Sequence, residues 1–106
     1  MFTYNAFVTN VVDGDTIDVE IDLGFDIWHH VRLRLAGIDT PETSTQAGKD
    51  ARVYAKKHLE KRAVVITTYK PDKYGRYLAD VIVDGVSFNK TLIDEGMAKA
   101  YDGGKR

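Results

Sequence analysis

The chain has 106 residues, a length that supports one hydrophobic core, and we expect a single domain over residues 1–106. Its 43% hydrophobic and 29% charged content is typical of a folded globular protein and argues against a disordered one. The lack of cysteine excludes disulfides, thiolate metal sites and cysteine nucleophiles, and the net charge of −1 argues against nucleic-acid binding through a general excess of positive charge.

Three strands are predicted before position 40. The segment AFVTNVVDGDTIDVEIDL, residues 6–23, alternates apolar and polar residues on both sides of Asp13-Gly14, a dipeptide typical of a tight turn. It therefore predicts two antiparallel strands joined as a hairpin. The segment IWHHVRLRLAGI, residues 27–38, predicts a third strand after the turn-like residues 22–26.

The apolar period changes to that of a helix from Thr45 onward. Apolar residues recur at helical spacing over residues 51–59, and charged residues occupy the other faces. We predict a long helix from about Gln46 to Arg62, with Ser44 or Thr45 as its N-cap. Gly48 is expected to weaken the first turn of this helix.

Two further strands follow the long helix. The run AVVITTY, residues 63–69, is short and rich in β-branched residues, which favours a strand. The segment YLADVIVDGVSF, residues 77–88, predicts a second strand that ends in a turn at Asp84-Gly85.

A short helix is predicted from about Asn89 to Glu95, with Leu92 and Ile93 turned inward and Gly96 as its C-cap. The predicted order is three strands, a helix, two strands and a helix. Because the strands come in hairpins and do not alternate with helices, this order favours a small antiparallel barrel with a helix across it over an α/β sheet.

The first residues, MFTYNAFVTN, lack both the basic start and the apolar run of a secretory signal, and no stretch of the sequence is apolar for long enough to span a bilayer. As written, the sequence therefore predicts a cytoplasmic protein with no membrane partner. A signal removed beforehand would leave the same sequence and a secreted protein. We expect a monomer.

Two acidic motifs, DGDT at residues 13–16 and DTPE at residues 39–42, lie at predicted strand ends. Hard divalent cations such as Ca²⁺ bind several oxygen ligands from separate chain segments, and Asp15 and Asp39 are candidates for two of them. Each motif alone is a weak signal, since an Asp-Gly turn occurs in many hairpins and an Asp before Thr-Pro is often a simple loop residue.

Two arginines strengthen this interpretation. Arg34 precedes Asp39 by a few residues, and Arg76 ends the motif DKYGR just before the next predicted strand. Paired hydrogen bonds from two guanidiniums beside a cation would stabilise charge on a pentacovalent phosphorus. Glu42 is placed to orient or deprotonate an attacking water. Together these residues predict a metal-assisted phosphodiesterase site.

The spacing of Arg34 and Asp39 leaves two interpretations open. In a regular strand they face opposite sides, so they converge only if the strand bends, and Gly37 would permit a bend. Alternatively, Arg32 and Arg34 form the polar face of an exposed strand and pair with the acidic side chains opposite, at positions 18, 20 and 22.

Four ordered motifs, VVDGDT, RLAGIDTPE, DKYGR and EGMAKAY, resemble those of the thermonuclease (staphylococcal nuclease-like) family, and the likeness extends from about Ala6 to Tyr101. The resemblance implies an α+β fold that is mainly β, a five-stranded OB-fold barrel with one long and one short helix. It also implies a Ca²⁺-dependent endonuclease that hydrolyses DNA and RNA and leaves 3′-phosphate ends.

The resemblance also assigns the metal and catalytic groups. Asp15 and Asp39 are similar to the family's carboxylate ligands of Ca²⁺, the Thr40 carbonyl is a further ligand, and Asp13 matches an acid beside them. Glu42 falls on the family's water-activating glutamate, whose role as general base is open to dispute. Arg34 and Arg76 fall on its two phosphate-binding arginines, so catalysis is the expected state.

Three substrate-binding residues are implied in the same way. Lys73 and Tyr74 match positions that contact the terminal phosphate and the sugar-base region of a nucleotide, although Tyr74 is equally compatible with a turn residue resting on the barrel. Tyr101 lies close to a tyrosine that packs on the bound base, but it arrives one residue early. The loop over residues 43–47 is shorter than in the staphylococcal enzyme, so substrate preference is open.

Other residues suggest different functions. Adjacent His29 and His30 face opposite sides of a strand, which argues against a shared zinc or copper ion. Trp28, Phe25 and Tyr4 are expected to fill or cover the barrel, with base stacking as the alternative. The competing hypothesis for the whole chain is a non-catalytic OB-fold module that binds nucleic acid.

Overall fold

The computed structural model describes residues 1–71 and 73–101; Asp72, the first residue of the DKYGR motif, lies outside these ranges. The described chain forms strands and two helices, which in chain order are β1 (Phe2–Asp13), β2 (Thr16–Asp22), β3 (Trp28–Leu35), β4 (Ile38–Asp39), α1 (Gln46–Leu59), β5 (Ala63–Tyr69), β6 (Tyr77–Val83), β7 (Val86–Ser87), α2 (Phe88–Asp94) and β8 (Lys99–Ala100).

The five long strands close into an OB-fold barrel, which confirms the expected fold class. They lie in the order β3-β2-β1-β5-β6, and β3 returns to pair with β6. This closing pair is parallel, with Leu33 opposite Tyr77, whereas the other long pairs are antiparallel. A closed ring of five strands cannot alternate direction all the way round, so one parallel pair is required.

Strand β1 is curved and pairs with a different strand on each of its edges. Its register with β2 shifts between Val8 and Asn10 and again between Val11 and Asp13. Such irregularities bend and twist a strand, which lets the start of β1 pair with β5 while its end enters the turn before β2. The predicted hairpin at Asp13-Gly14 is confirmed, because Asp13 pairs with Thr16.

The core fills the barrel with the inward-facing residues of every long strand. Val8, Ile17, Leu33, Ile66 and Val81 are essentially inaccessible to solvent. Helix α1 packs against β1, where its buried face consists of small and aliphatic residues at helical spacing, namely Ala51, Ala55 and Leu59. Within the described residues, neither helix is long and apolar enough to cross a bilayer.

Helix α1 ends at Leu59, three residues before its predicted end. Lys61 adopts a left-handed conformation with φ of 62°, and its amide donates to the Val8 carbonyl over 2.8 Å. The Val8 amide in turn donates to the Arg62 carbonyl over 2.9 Å. The backbone of residues 61 and 62 therefore pairs with β1 and does not continue the helix.

Helix α2 matches its prediction except for one side chain. Gly96 has φ of 73°, and the amides of Gly96 and Met97 donate to the carbonyls of Ile93 and Leu92, the pattern of a Schellman C-cap. Leu92 is buried as predicted, but Ile93 is 37% exposed, and the other buried residues of the helix are Phe88 and Asn89.

The hairpin tip between β2 and β3 differs most from expectation. Gly24, Phe25 and Asp26 all have positive φ, and Phe25 is 96% exposed. Trp28 is 50% exposed. Of the three aromatic residues expected to fill or cover the barrel, Tyr4 packs against the core, while Phe25 and Trp28 point to solvent.

Candidate active site

The turn between β1 and β2 carries the most buried carboxylate of the candidate site. Asp15 is 4% exposed, its amide donates to Asp13 Oδ1 over 3.1 Å, and its carbonyl accepts from the Leu35 amide over 2.8 Å. Gly14 precedes it where a Cβ would lie 2.9 Å from the Ala51 Cβ. The sequence Asp-Gly-Asp therefore forms a turn that fits under α1 and holds Asp15 against β3.

Three donors surround the Asp15 carboxylate. Arg34 Nη1 lies 2.8 Å from Oδ2, and the Thr40 amide donates to the same oxygen over 3.1 Å. The Thr16 hydroxyl donates to Oδ1 over 3.2 Å. A buried carboxylate is tolerated only when it is paired and hydrogen-bonded, and these contacts meet that condition.

The bend at Gly37 brings Asp39 to the same guanidinium. Gly37 has φ of 74°, and Arg34 Nη2 donates to Asp39 Oδ1 over 3.1 Å and to the Ile38 carbonyl over 3.3 Å. The alternative in which β3 is a simple exposed face is right for Arg32, which pairs with Asp18 over 2.8 Å, and wrong for Arg34.

Contacts from the C-terminal part of the described chain fix this bend. Asn89 is buried and donates from Nδ2 to the Ala36 carbonyl over 2.9 Å, while its Oδ1 accepts from the Val81 amide over 3.0 Å. The Tyr101 amide donates to the Gly37 carbonyl over 2.8 Å. The structural role of Asn89 was not predicted from the sequence. The signal that could have found it is a polar residue next to Phe88 at the start of a buried helix.

Glu42 lies in the loop that leads into α1, and its backbone is held by the start of the helix. Its carbonyl accepts from the Thr45 amide over 2.9 Å and from the Thr45 hydroxyl over 2.7 Å. That hydroxyl also accepts from the Gly48 amide over 3.0 Å, which confirms Thr45 as the N-cap. The Glu42 side chain is exposed.

Gly48 is essential to this packing, contrary to its expected role as a weakness. A Cβ at Gly48 would lie 1.8 Å from the Glu42 carbonyl oxygen and 2.7 Å from that of Pro41. Only glycine lets the first turn of α1 approach the loop so closely. Gly48 and Glu42 can both be read from the sequence. The need for glycine at position 48 depends on a contact between the loop and the helix that the sequence does not show.

The second arginine belongs to an exposed cluster before β6. Arg76 Cζ lies 5.2 Å from the centre of the Tyr74 ring, and Lys73 Nζ lies 5.3 Å from the same point, so Tyr74 contacts two cations. The pairing of Leu33 with Tyr77 places the residue after Arg76 beside the residue before Arg34.

The candidate residues differ in how they are connected to the site. Direct contacts join Asp15, Arg34 and Asp39 and the Thr40 amide. Glu42 follows Thr40 by two residues in the same loop, and Arg76 is placed by strand register. Lys73 and Tyr74 accompany Arg76, whereas Tyr101 is linked to the site by its backbone.

The electrostatics of the site keep its central pair charged. Burial raises the pKa of Asp13 to about 6, and the neighbouring Asp15 carboxylate adds to this effect. Burial acts in the same direction on Asp15, but hydrogen bonds from Asp13, the Thr40 amide and Arg34 outweigh it and lower the pKa of Asp15 below its ordinary value. Asp15 and Asp39 raise the pKa of Arg34 despite its burial.

The donor set fits a hard cation. Asp15, Asp39 and the Thr40 carbonyl offer oxygens alone, and two carboxylates against one guanidinium leave a net negative charge. In the described part of the chain, no three His, Asp or Glu side chains cluster in a way that could hold a metal. Two carboxylates and one carbonyl are fewer oxygens than Ca²⁺ takes, so water and substrate would have to supply its other ligands.

The closed five-stranded barrel makes this an OB-fold protein. Its polar site, a carboxylate–guanidinium–carboxylate group, lies at one end of the barrel beside the first turn. A family model described as staphylococcal nuclease homologue matches residues 32–106. The chain belongs to this family, which confirms the resemblance read from its four motifs.

Curated relatives extend over most of this chain. A thermonuclease of Staphylococcus intermedius is 43% identical, covering 88% of this chain and 57% of the relative. An Escherichia coli protein named as an uncharacterized endonuclease is 34% identical, covering 90% and 60%. An uncharacterized protein of Methanocaldococcus jannaschii is 33% identical, covering 92% and 59%. The chain spans less than two thirds of the length of these relatives.

Proposed function

We propose that the chain acts as a single monomeric domain, a Ca²⁺-dependent endonuclease that hydrolyses phosphodiester bonds of DNA and RNA and leaves 3′-phosphate ends. The observation that carries the proposal is the Arg34 guanidinium, which lies between the carboxylates of Asp15 and Asp39 at distances of 2.8 and 3.1 Å. Family membership supports it, as do relatives named thermonuclease and endonuclease.

In this proposal Asp15, Asp39 and the Thr40 carbonyl hold Ca²⁺. Bound there, the cation would supply positive charge to the phosphate and to the pentacovalent transition state. The three oxygens come from a strand turn and from the bent segment after β3, and the bend is fixed by backbone hydrogen bonds. The fixed bend supports a site that is organised before substrate arrives.

Arg34 binds the substrate phosphate and is oriented by the same carboxylates. Guanidinium has five N–H donors. Three contacts, to Asp15, Asp39 and the Ile38 carbonyl, fix the plane of the fork. The remaining donors are available to phosphate oxygens, and their strength grows as negative charge develops on them. Arg76 supplies a second guanidinium from the β6 side.

Glu42 acts as the general base in this scheme. It accepts a proton from a water that attacks phosphorus in line, the bond between phosphorus and the 5′-oxygen breaks, and the leaving oxygen is protonated from solvent. The 3′-oxygen keeps the phosphate. Because Gly48 and Thr45 fix the Glu42 backbone, the carboxylate starts from a defined point on the loop.

Cleavage of an end-labelled single-stranded DNA tests the proposal. The wild type is assayed with Ca²⁺ and with EGTA, beside Glu42→Gln and the matched control Glu20→Gln on the outer face of β2, and the product ends are identified. We expect Ca²⁺-dependent cleavage with 3′-phosphate ends, a loss of at least about 100-fold in kcat for Glu42→Gln, and no loss for the control. Binding without cleavage would favour the non-catalytic OB-fold module instead.

A further inference from the structure

A groove of about 210 Å³ opens at the mouth of the barrel between the β2–β3 hairpin and the start of β6. We call it the mouth groove and define it by Tyr4, His29, Val31, Leu33, Thr68 and Tyr77 among its lining residues. None of these side chains belongs to the site described above.

The groove exists because β3 extends beyond the closure of the barrel. Over the described residues, β3 pairs with β2 from Trp28 to Arg34, but it pairs with β6 only from Leu33. The inward-facing residues before Leu33 therefore have no β6 partner beside them. They line an opening whose β6 side carries Tyr77, which is 48% exposed.

Two residues of the mouth groove are chain neighbours of the arginines of the candidate active site. Tyr77 follows Arg76 in the chain, Leu33 precedes Arg34, and Tyr77 and Leu33 are paired partners. Leu33 and Arg34 face opposite sides of β3, so a nucleotide strand held by Arg34 and Arg76 would reach this groove by passing over the edge of the barrel at Tyr77.

The chemistry of the lining suits a nucleobase. Two tyrosines and a histidine offer ring surfaces, Thr68 and His29 offer polar atoms, and none of the lining residues carries a carboxylate. The acidic side chains of β2 alternate to the opposite face, where Asp18 contacts Arg32 and Glu20 contacts His30. Base–aromatic stacking is the usual way in which such surfaces bind single strands.

We propose that the mouth groove binds one unpaired nucleobase of the substrate strand, one nucleotide beyond the two that the cleaved phosphodiester joins. The proposal rests on the proposed function, because it takes the phosphate position from Arg34 and Arg76. It assigns Tyr77 and Tyr4 as base-contacting residues that bind substrate without taking part in the chemical step.

The test compares two substrate lengths and three variants. Tyr77→Leu and Tyr4→Leu remove a ring and keep apolar bulk, while Trp28→Leu removes an equally exposed ring that precedes His29 in β3 and so faces away from the groove. Binding of a labelled eight-nucleotide single-stranded DNA is measured in EGTA, and cleavage of the octanucleotide and of a dinucleotide is measured with Ca²⁺. Thermal unfolding confirms that each variant is folded.

We expect Tyr77→Leu and Tyr4→Leu to weaken octanucleotide binding and raise its KM by at least about fivefold, with kcat unchanged, as for the loss of one stacked base. Dinucleotide cleavage and the Trp28→Leu variant should match the wild type. If the two tyrosine variants lose no more than Trp28→Leu, or lose as much on the dinucleotide as on the octanucleotide, the base site is wrong even though the nuclease proposal stands.

The reverse pattern separates the two proposals. If the wild type cleaves neither substrate but binds the octanucleotide with the same dependence on Tyr77 and Tyr4, the groove assignment stands and the nuclease proposal fails. Photocrosslinking of wild type to an octanucleotide containing 5-iodouracil requires no variant. Crosslinks to Tyr77, Tyr4 or His29 support the groove, and crosslinks confined to other surfaces overturn it.

Discussion

Replacement of Gly48 by alanine tests whether the loop at Glu42 depends on close packing by α1. On helix propensity alone, Gly→Ala inside a helix stabilises by about 1 kcal/mol. In this structure the added Cβ would lie 1.8 Å from the Glu42 carbonyl oxygen, and both contacting atoms within 2.5 Å belong to the Glu42 backbone, which no side-chain rotation can move. The loop and the helix must therefore separate.

The expected sign is opposite to that of propensity. Overpacking of this kind costs about 1–3 kcal/mol, and separation also weakens the Thr45 cap that joins the two segments. We expect Gly48→Ala to lower the free energy of unfolding by about 1–3 kcal/mol. Because the shift moves the backbone of Glu42, kcat should fall at least about tenfold while the affinity for uncleaved DNA in EGTA changes little.

Urea unfolding and single-turnover cleavage of the same preparations measure both effects. Lys49→Ala is the matched control, since it changes the next residue in the same turn at an exposed position and should shift stability by no more than about 0.5 kcal/mol. A Gly48→Ala protein that is as stable as the wild type, or more so, would refute the packing argument. Lower stability with full kcat would refute the link to Glu42.

Three further predictions concern the polar groups. Because burial and the Asp15 carboxylate raise the pKa of Asp13 from 3.8 to about 6, the folded protein binds more protons than the unfolded one in that window, so its stability in EGTA should fall as pH rises through it. Asp13 is only partly buried, so the fall should be of the order of 1 kcal/mol, and urea unfolding of Asp13→Asn at pH 5 and 7.5 should show it abolished. Asn89→Leu should cost about 2–5 kcal/mol, since it removes the side-chain partner of the Val81 amide and of the Ala36 carbonyl, and a protein as stable as wild type would contradict this. Arg76→Ala should lower kcat at least about 100-fold with stability within about 1 kcal/mol, whereas Arg34→Ala should lower both, as measured by cleavage and urea unfolding.

Features set by neighbours in sequence were predictable. The turn at Asp13-Gly14 and the cap at Thr45 depend on the conformational preferences of a few adjacent residues, and both are confirmed. The bend at Gly37 was predicted as one of two possibilities, because glycine permits positive φ but does not require it. The contact between Arg34 and Asp39 decides between them.

Features set by distant contacts were not predictable. The end of α1 depends on pairing of Lys61 with β1, and the role of Gly48 depends on how closely the helix approaches Glu42. The exposure of Phe25 follows from a hairpin tip whose three consecutive left-handed residues turn it away from the barrel. In each case the local sequence is compatible with two conformations or roles, and the packing of another segment determines which one occurs.

The two arginines differ in what their removal leaves behind. Arg34 is the partner of a carboxylate that is 4% exposed, so its loss strands a buried charge, and removing one member of such a pair costs several kcal/mol. Arg76 is exposed and contacts an exposed ring. Lost activity in an Arg34 variant would therefore combine loss of the proposed phosphate binding with a disturbed Asp15. A folded Arg76 variant changes an exposed cluster that includes Tyr74 and leaves the Asp15–Arg34 pair in place, which makes Arg76 the more direct test of the proposed transition-state stabilisation.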